Sequence, residues 1–503
     1  MSLKSLFHFS NTFMVIVWFA FLFIWPLPQS ALETDLKKLY WDSSFKEIVN
    51  HFDKKNYPTL SLDDKLLYIE CLARTGEGYA ALKKLEKIVP EGPLEKDFYA
   101  CCGWVYLSRG EFQKAEHFIN RSLELDNHSQ SGVLAKVMLF LYLKQFFKSE
   151  ILFEDWLAKN PVFIQSFQTF LVGVEVYNAT RKVKKLYNWY SKRAKLIKNE
   201  DKLTYDNLKA SSRLYKGIRG KQLFEIVTES DSVEYPLAES SDCRFYFIFF
   251  QLKKNRNSKI LLDTGNATGW MVHDRELYDY LDMKKGGRTV AVIGSEADVL
   301  DGYRIYTESL DFGSFQFRHL TGFYIPKPRS DFFDANLNPL FIRNRVVTLD
   351  GPGKRFIMRT KRAFDRYLLK KDGRKVVKLR WYGYEQAFIP LEINGVKKGL
   401  GIIETGAEDI AVLLDFARLL QLPLKPKVKY LSNGSVYRFF KAPVTIYLGS
   451  LKLNRSAADV WSFDRFYRRL SGLKAGVVLG PGVFKDTCVL SFDPFAQEIV
   501  VEW

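Results

Sequence analysis

Hydrophobic and polar positions follow three successive patterns along the chain. Phe13–Trp25 is continuously apolar (FMVIVWFAFLFIW) over 13 residues. From about Leu62 to Phe163 apolar positions recur at helical spacing inside a 34-residue period. Gly76, Gly110 and Lys144 share one phase of it, Ala81, Ala115 and Ser149 a second, and Pro93, Asn127 and Pro161 a third. From about residue 240 onward short apolar runs alternate with polar positions and break at turn residues, which predicts strands. The pattern predicts an apolar leader, a helical array and a β-rich C-terminal half.

The apolar run is short for a bilayer span and suits the h-region of a signal peptide. Lys4 precedes it, and Pro26 and the small residues Ser30 and Ala31 follow. Residues 1–30 therefore read as a cleaved signal, or as an uncleaved anchor lengthened by Leu6, Phe7 and Phe9. Either reading exports the remainder to the periplasm or cell envelope.

In the middle repeat Tyr99, Gly103 and Tyr106 fall where paired helices need large, small and large residues. Leu36–Lys54 and Thr169–Lys198 read as divergent flanking helices, so the array covers about 33–215. This pattern resembles the tetratricopeptide repeat (TPR). The resemblance implies a solenoid whose concave face takes a protein partner or a substrate; a plain spacer is the alternative.

The C-terminal half contains an internal match at an offset of 141 residues. Phe247–Gly265 aligns without gaps on Phe388–Gly406. Each copy reads as strand, polar hairpin, apolar strand, then acid-Thr-Gly, and Asn394-Gly395 predicts a type I′ hairpin. Arg345–Asp350 near the end of one copy matches Cys488–Asp493 near the end of the other. Copy one spans 240–360 and copy two 376–503, with 361–375 as a basic linker.

These residues resemble the retropepsin/pepsin-like aspartic proteases, in the form where one chain supplies both lobes. The resemblance rests on Ile260-Leu-Leu-Asp263-Thr264-Gly265, on Ile402-Ile403-Glu404-Thr405-Gly406, and on the late Val478-Leu479-Gly480 strand. It implies a multidomain chain, a TPR-like solenoid followed by an all-β two-lobed acid-protease fold. It also implies that Asp263 and Glu404 are the catalytic pair, with Thr264, Gly265, Thr405, Gly406 and Gly480 supporting the two turns. In that chemistry one carboxylate activates water and one carboxylic acid polarises the scissile carbonyl. Two adjacent carboxyls share a proton, because both cannot ionise cheaply. No cofactor or metal is implied, and the family points to an acidic optimum and to pepstatin inhibition.

The chain departs from the family at several positions. The second acid is Glu404 rather than Asp, and one extra methylene carries its carboxyl forward by about 1.5 Å. Misplacement of about 1 Å can cost ~100-fold in rate. Asn266 and Ala407 follow the turn glycines, and copy one reads Asn336-Leu-Asn-Pro-Leu-Phe341 without the glycine seen at Gly480. That missing glycine predicts altered packing behind Asp263. Gly294 and Gly434 mark expected tips of hairpins over the cleft. The competing reading is a catalytically inactive protease-like fold that binds peptides or proteins.

Charge and cysteine usage narrow the remaining classes. The net charge is +18, from 75 Lys+Arg against 57 Asp+Glu. Arg181–Lys198 holds eight Lys/Arg and no acid, and Lys361–Lys378 holds eight Lys/Arg with Asp365 and Asp372. The excess therefore sits in connecting segments, which suits an anionic membrane surface or an interdomain face, and no nucleic-acid module is recognisable. Five cysteines without a CxxC exclude a disulfide framework and a Cys-based zinc site.

Overall fold

A computed structural model describes residues 36–89, 92–197, 202–240, 243–253, 256–293, 298–326, 333–370, 373–395, 397–430, 436–461 and 470–503. The apolar run Phe13–Trp25 and the glycines Gly294 and Gly434 lie outside them. Among the described residues no helix is long and apolar enough to cross a membrane.

The N-terminal part is helical: α1 (Leu36–Trp41), α2 (Phe45–Asp53), α3 (Leu62–Arg74), α4 (Gly78–Leu85), α5 (Glu95–Ser108) and α6 (Phe112–Leu125). It continues through α7 (Gln130–Tyr142), α8 (Phe146–Lys159), α9 (Phe167–Ala179), α10 (Val183–Leu196) and α11 (Lys202–Gly217). Ser61, Ser129 and Ser166 start α3, α7 and α9 by accepting the N–H groups of Asp64, Gly132 and Thr169. Gly76, Gly110, Lys144 and Arg181 end α3, α5, α7 and α9 in the left-handed region. After each, the next N–H reaches back into the helix: Glu77 to Leu72, Glu111 to Tyr106, Gln145 to Phe140, Lys182 to Tyr177. This shared closure is the physical content of the Gly76/Gly110/Lys144 phase, and it recurs out of phase at Arg181. Ala81, Ala115 and Ser149 are fully enclosed between helices. Gly103 admits Ile119 of α6, since a Cβ there would lie 2.5 Å from the isoleucine side chain.

The C-terminal part is β-rich. Its strands begin with β1 (Glu225–Val227), β2 (Ser232–Pro236), β3 (Ala238–Ser240), β4 (Cys243–Lys253), β5 (Arg256–Leu262) and β6 (Trp270–Val272). There follow β7 (Lys284–Ile293), β8 (Asp298–Asp311), β9 (Gln316–Tyr324), β10 (Ala335–Leu337), β11 (Val346–Asp350) and β12 (Arg355–Arg359). The second half holds β13 (Val376–Arg380), β14 (Ala387–Ile393), β15 (Lys397–Ile403), β16 (Ile410–Leu413) and β17 (Lys425–Tyr430). It ends with β18 (Val436–Leu448), β19 (Leu451–Trp461), β20 (Val477–Leu479), β21 (Val489–Asp493) and β22 (Glu498–Glu502).

Two of the three sheets repeat one plan. The first runs β4-β5-β10-β6-β9-β8-β7, with β3 beside β4 and β1 on β9. Another runs β14-β15-β20-β16-β19-β18-β17. Senses agree as well as order: β5–β10 and β15–β20 are parallel, β6–β9 and β16–β19 are parallel, and the other pairs antiparallel. The 141-residue repeat in the sequence is thus a repeat of topology. The predicted Asn394-Gly395 hairpin joins β14 to β15 with both residues at positive φ.

The remaining sheet, β13-β22-β21-β11-β12-β2, is antiparallel throughout and takes strands from both halves. The halves join at β11–β21, where Thr348 and Ser491 hydroxyls bond at 2.9 Å. Copy one therefore reaches back before residue 240, since β1 and β2 belong to these sheets. The 361–375 segment is more than a linker. Thr360 caps a helix over Lys361–Leu369, whose buried Phe364 packs with Val346 and Val500.

The helical part docks on the β part along its left-handed turns. Arg74 Nε donates to Leu470 O, and Gly472 fits against the Ala73 carbonyl. Gly110 is covered by the Leu400 side chain. The Tyr142 carbonyl accepts from Gly383 N, and the Tyr142 hydroxyl bonds Ser471 Oγ at 2.6 Å. Lys144 lies over the Trp381 ring, 2.9 Å from its centroid, and burial pushes its ammonium well below the usual lysine range. Arg181, partly buried, donates to the carbonyls of Leu223 and Phe341. Most apolar side chains of the basic 181–198 segment are turned inward, while Lys182, Lys184, Lys192 and Lys195 stay exposed. Leu186, Trp189 and Tyr190 are core residues, and Lys185 bridges Glu150 and Glu154.

Candidate active site

The sequence places two acid-Thr-Gly turns at the ends of β5 and β15, and the fold brings them together. Each apolar strand runs buried into its turn, and each acid is anchored by the late strand beside it. Asp263 N donates to Leu337 O at 2.9 Å, and Glu404 N donates to Leu479 O at 3.0 Å. The turns then close alike, with Asn266 N on Asp263 O and Ala407 N on Glu404 O.

The threonines lock the turns to each other. Thr264 N donates to Thr405 Oγ1 and Thr405 N to Thr264 Oγ1, both at 2.9 Å. Thr264 Oγ1 donates to Ile403 O at 2.7 Å, and Thr405 Oγ1 to Leu262 O at 2.5 Å. A hydroxyl can donate once and still accept, so each threonine satisfies two backbone groups of the other half. Both side chains are buried, which makes these bonds costly to lose.

The turn glycines are needed for a reason that the sequence did not reveal. Neither adopts positive φ. A Cβ on Gly265 would lie 2.6 Å from Glu404 Cδ, and one on Gly406 would lie 2.5 Å from Asp263 Oδ1. Each carboxyl therefore sits against the glycine of the opposite turn. Gly480 is constrained in the same manner: a Cβ would lie 2.6 Å from Ala407 O and 2.8 Å from Asp409 N.

The two acids differ electrostatically. Burial raises both above the usual carboxylate range. Asp263 is pushed up to about 6, with the N–H groups of Gly265 and Asn266 pulling the other way. Glu404 is pushed up to about 8, by burial and then by the Asp263 charge. Asp263 Oδ1 accepts Gly265 N at 2.8 Å and Oδ2 accepts Asn336 Nδ2 at 3.3 Å, whereas Glu404 Oε2 is buried without a hydrogen-bond partner among the described residues. Both carboxyls are thus shifted toward their protonated forms, Glu404 further than Asp263.

Copy one does without the late glycine because an asparagine stands at that register. Leu337 pairs with Leu262 as Leu479 pairs with Ile403, so Asn338 occupies the place of Gly480. Its Nδ2 donates to Asn266 O and Glu385 O at 2.8 Å, and its Oδ1 accepts Leu340 N at 2.9 Å. The strand pairing behind Asp263 matches that behind Glu404, so the predicted disturbance is absent. Sequence reading missed Asn336 and Asn338 as site residues; the doubled Asn-x-Asn beside a buried strand, with Asn266 after the turn, was the available signal.

Hairpins β7–β8 and β17–β18 stand where covering elements were expected, and their tips at 294–297 and 431–435 lie outside the described residues. The base of the first is braced by α11. A Cβ on Gly287 would lie 2.6 Å from Asn207 O, and Arg304 stacks over the Tyr190 ring of α10. Strand β17 is the edge of its sheet. No protein-family model and no curated protein matches this chain.

Proposed function

We propose that this chain is an aspartic-type endopeptidase in which Asp263 activates a water and Glu404, protonated, polarises the scissile carbonyl. The observation that carries the reading is the reciprocal Thr264–Thr405 lock, with each acid seated on the other turn's glycine. Such a centre is pre-organised, so its donors and acceptors need not rearrange during reaction. The raised values of the pair move its one-proton form to about pH 6–8. Activity is therefore expected near neutrality rather than at the acidic optimum that the family resemblance implies.

The β part is read as a two-lobed retropepsin/pepsin-like domain and the helical part as a TPR-type solenoid. Docking of the left-handed turns on the β part gives the array a bracing role, and partner or substrate recruitment falls to its other faces. The N-terminal apolar segment supports export to the periplasm or cell envelope, as a signal or an anchor.

A second reading is an inactive fold that binds peptides. The longer Glu404 side chain, with Oε2 lacking a partner among the described residues, favours it. The deciding experiment is hydrolysis of a diverse peptide library by the full chain from pH 3 to 9, beside Asp263→Asn and Glu404→Asp. Cleavage lost in Asp263→Asn supports the protease. Intact peptides with the natural chain, and cleavage only with Glu404→Asp, establish the binding module.

A further inference from the structure

The halves differ in how they hold their carboxyls. In the first, a chain of amides runs from the turn to Asp263. Asn266 Oδ1 accepts Thr268 N at 2.9 Å and Thr268 Oγ1 at 2.6 Å. Asn266 Nδ2 donates to Asn336 Oδ1 at 2.5 Å, and Asn336 Nδ2 donates to Asp263 Oδ2 at 3.3 Å. Both amides are buried.

The direction of this relay is fixed at one end. A backbone N–H can only donate, so Asn266 must turn its oxygen to Thr268 and its NH2 to Asn336. Asn336 must then accept with its oxygen and turn its own NH2 to Asp263. A reversed Asn336 would set a carbonyl oxygen against the carboxyl, an arrangement that suits only protonated Asp263. A donor aimed at a carboxylate favours its ionised form.

The second half has no counterpart. By strand register Val478 stands where Asn336 does, and by turn position Ala407 stands where Asn266 does. Neither side chain can donate to Glu404. The geometry points to Asn336 as a positioning residue that keeps Asp263 the ionised, water-activating member of the pair, with Asn266 and Thr268 setting its direction. The inequality of the two acids is thus written into the walls around them, and does not come only from Asp against Glu. This inference rests on the proposed acid pair, and its test separates the two.

The test uses the full chain with carbon-13 carboxyl labelling of aspartate, the Asp263 signal being assigned by its loss in Asp263→Asn. Variants are Asn336→Val and Asn266→Ala, which copy the second half, and Val478→Asn, which copies the first. In Asn336→Val the Asp263 midpoint and the acid limb of kcat/KM should both rise by about one pH unit, the alkaline limb staying in place. Asn266→Ala should move them in the same direction, and it serves if Asn336→Val does not fold. Val478→Asn should lower the alkaline limb. An unmoved Asp263 midpoint in a folded Asn336→Val or Asn266→Ala variant overturns the relay, even where hydrolysis persists. A moved midpoint in a chain that hydrolyses nothing upholds the relay and removes the protease reading.

Discussion

Gly406 and the Asp263 carboxyl are in such close contact that one methyl group cannot enter between them; a Cβ at 406 would lie 2.5 Å from Asp263 Oδ1. Gly406→Ala should therefore displace Asp263 and lower kcat/KM by ~100-fold or more while the chain still folds. Steady-state kinetics with a circular-dichroism melt checks this. Full activity in the alanine variant would detach Asp263 from the reaction.

The threonine lock predicts a coupled loss of stability. Thr264→Val leaves Thr405 N without its acceptor and Ile403 O without its donor. Each buried orphan costs about 1–3 kcal/mol, and Thr405→Val mirrors the loss. The singles remove different bonds of one lock whose hydroxyls lie 3.4 Å apart, so freeing one turn should weaken the bonds left on the other, and the double variant should cost less than the two singles together. Additive single effects in urea unfolding would mean that the turns are held independently.

Glu404 predicts a pH signature. Its folded value of about 8 lies above the value of an unfolded glutamate, so the native state binds the extra proton. The Glu404 contribution to stability is then full below about pH 4.5 and is lost as pH rises toward 8, by about 1.4 kcal/mol per pH unit within that window. Glu404→Gln should remove this slope, giving a variant a few kcal/mol more stable than the natural chain at pH 8.5 relative to pH 4.5. A stability difference that is the same at both pH values would exclude a buried, neutral Glu404.

The docking seam is tested at Gly110. Its φ is +72°, and a Cβ there would strike Leu400 of β15. Gly110→Ala should cost about 1–3 kcal/mol through strain and overpacking. Its signature is faster amide exchange in β14 and β15, with the α5–α6 core unchanged. Exchange confined to the helices would place the effect inside the array.

Sequence alone carried the duplicated β plan, because two ungapped copies ending in acid-Thr-Gly are improbable unless both occupy equivalent strands. The helical period was legible because the left-handed turns and small interhelix residues recur at fixed spacing. The docking seam was not legible, since helical periodicity reports how neighbouring helices pack and is silent about what covers their turns. Lys144 and Arg181 look like surface cations in sequence, yet Lys144 is buried over the Trp381 ring and Arg181 is tied to the Leu223 and Phe341 carbonyls. Asn336 and Asn338 were hidden for a related reason: polar residues on a short strand read as exposure, and only the tertiary register sets them beside Asp263 and its turn.

The four left-handed turns do not meet one repeating surface. They meet Leu470, Leu400, Trp381 and the Leu223/Phe341 pair, each a different landmark on the β region. A free solenoid can gain or lose a 34-residue unit and remain a solenoid. Here one added unit would carry every later turn past its landmark at once. The β region thus acts as a ruler for the helices, and repeat number in this chain is set by a template outside the repeats.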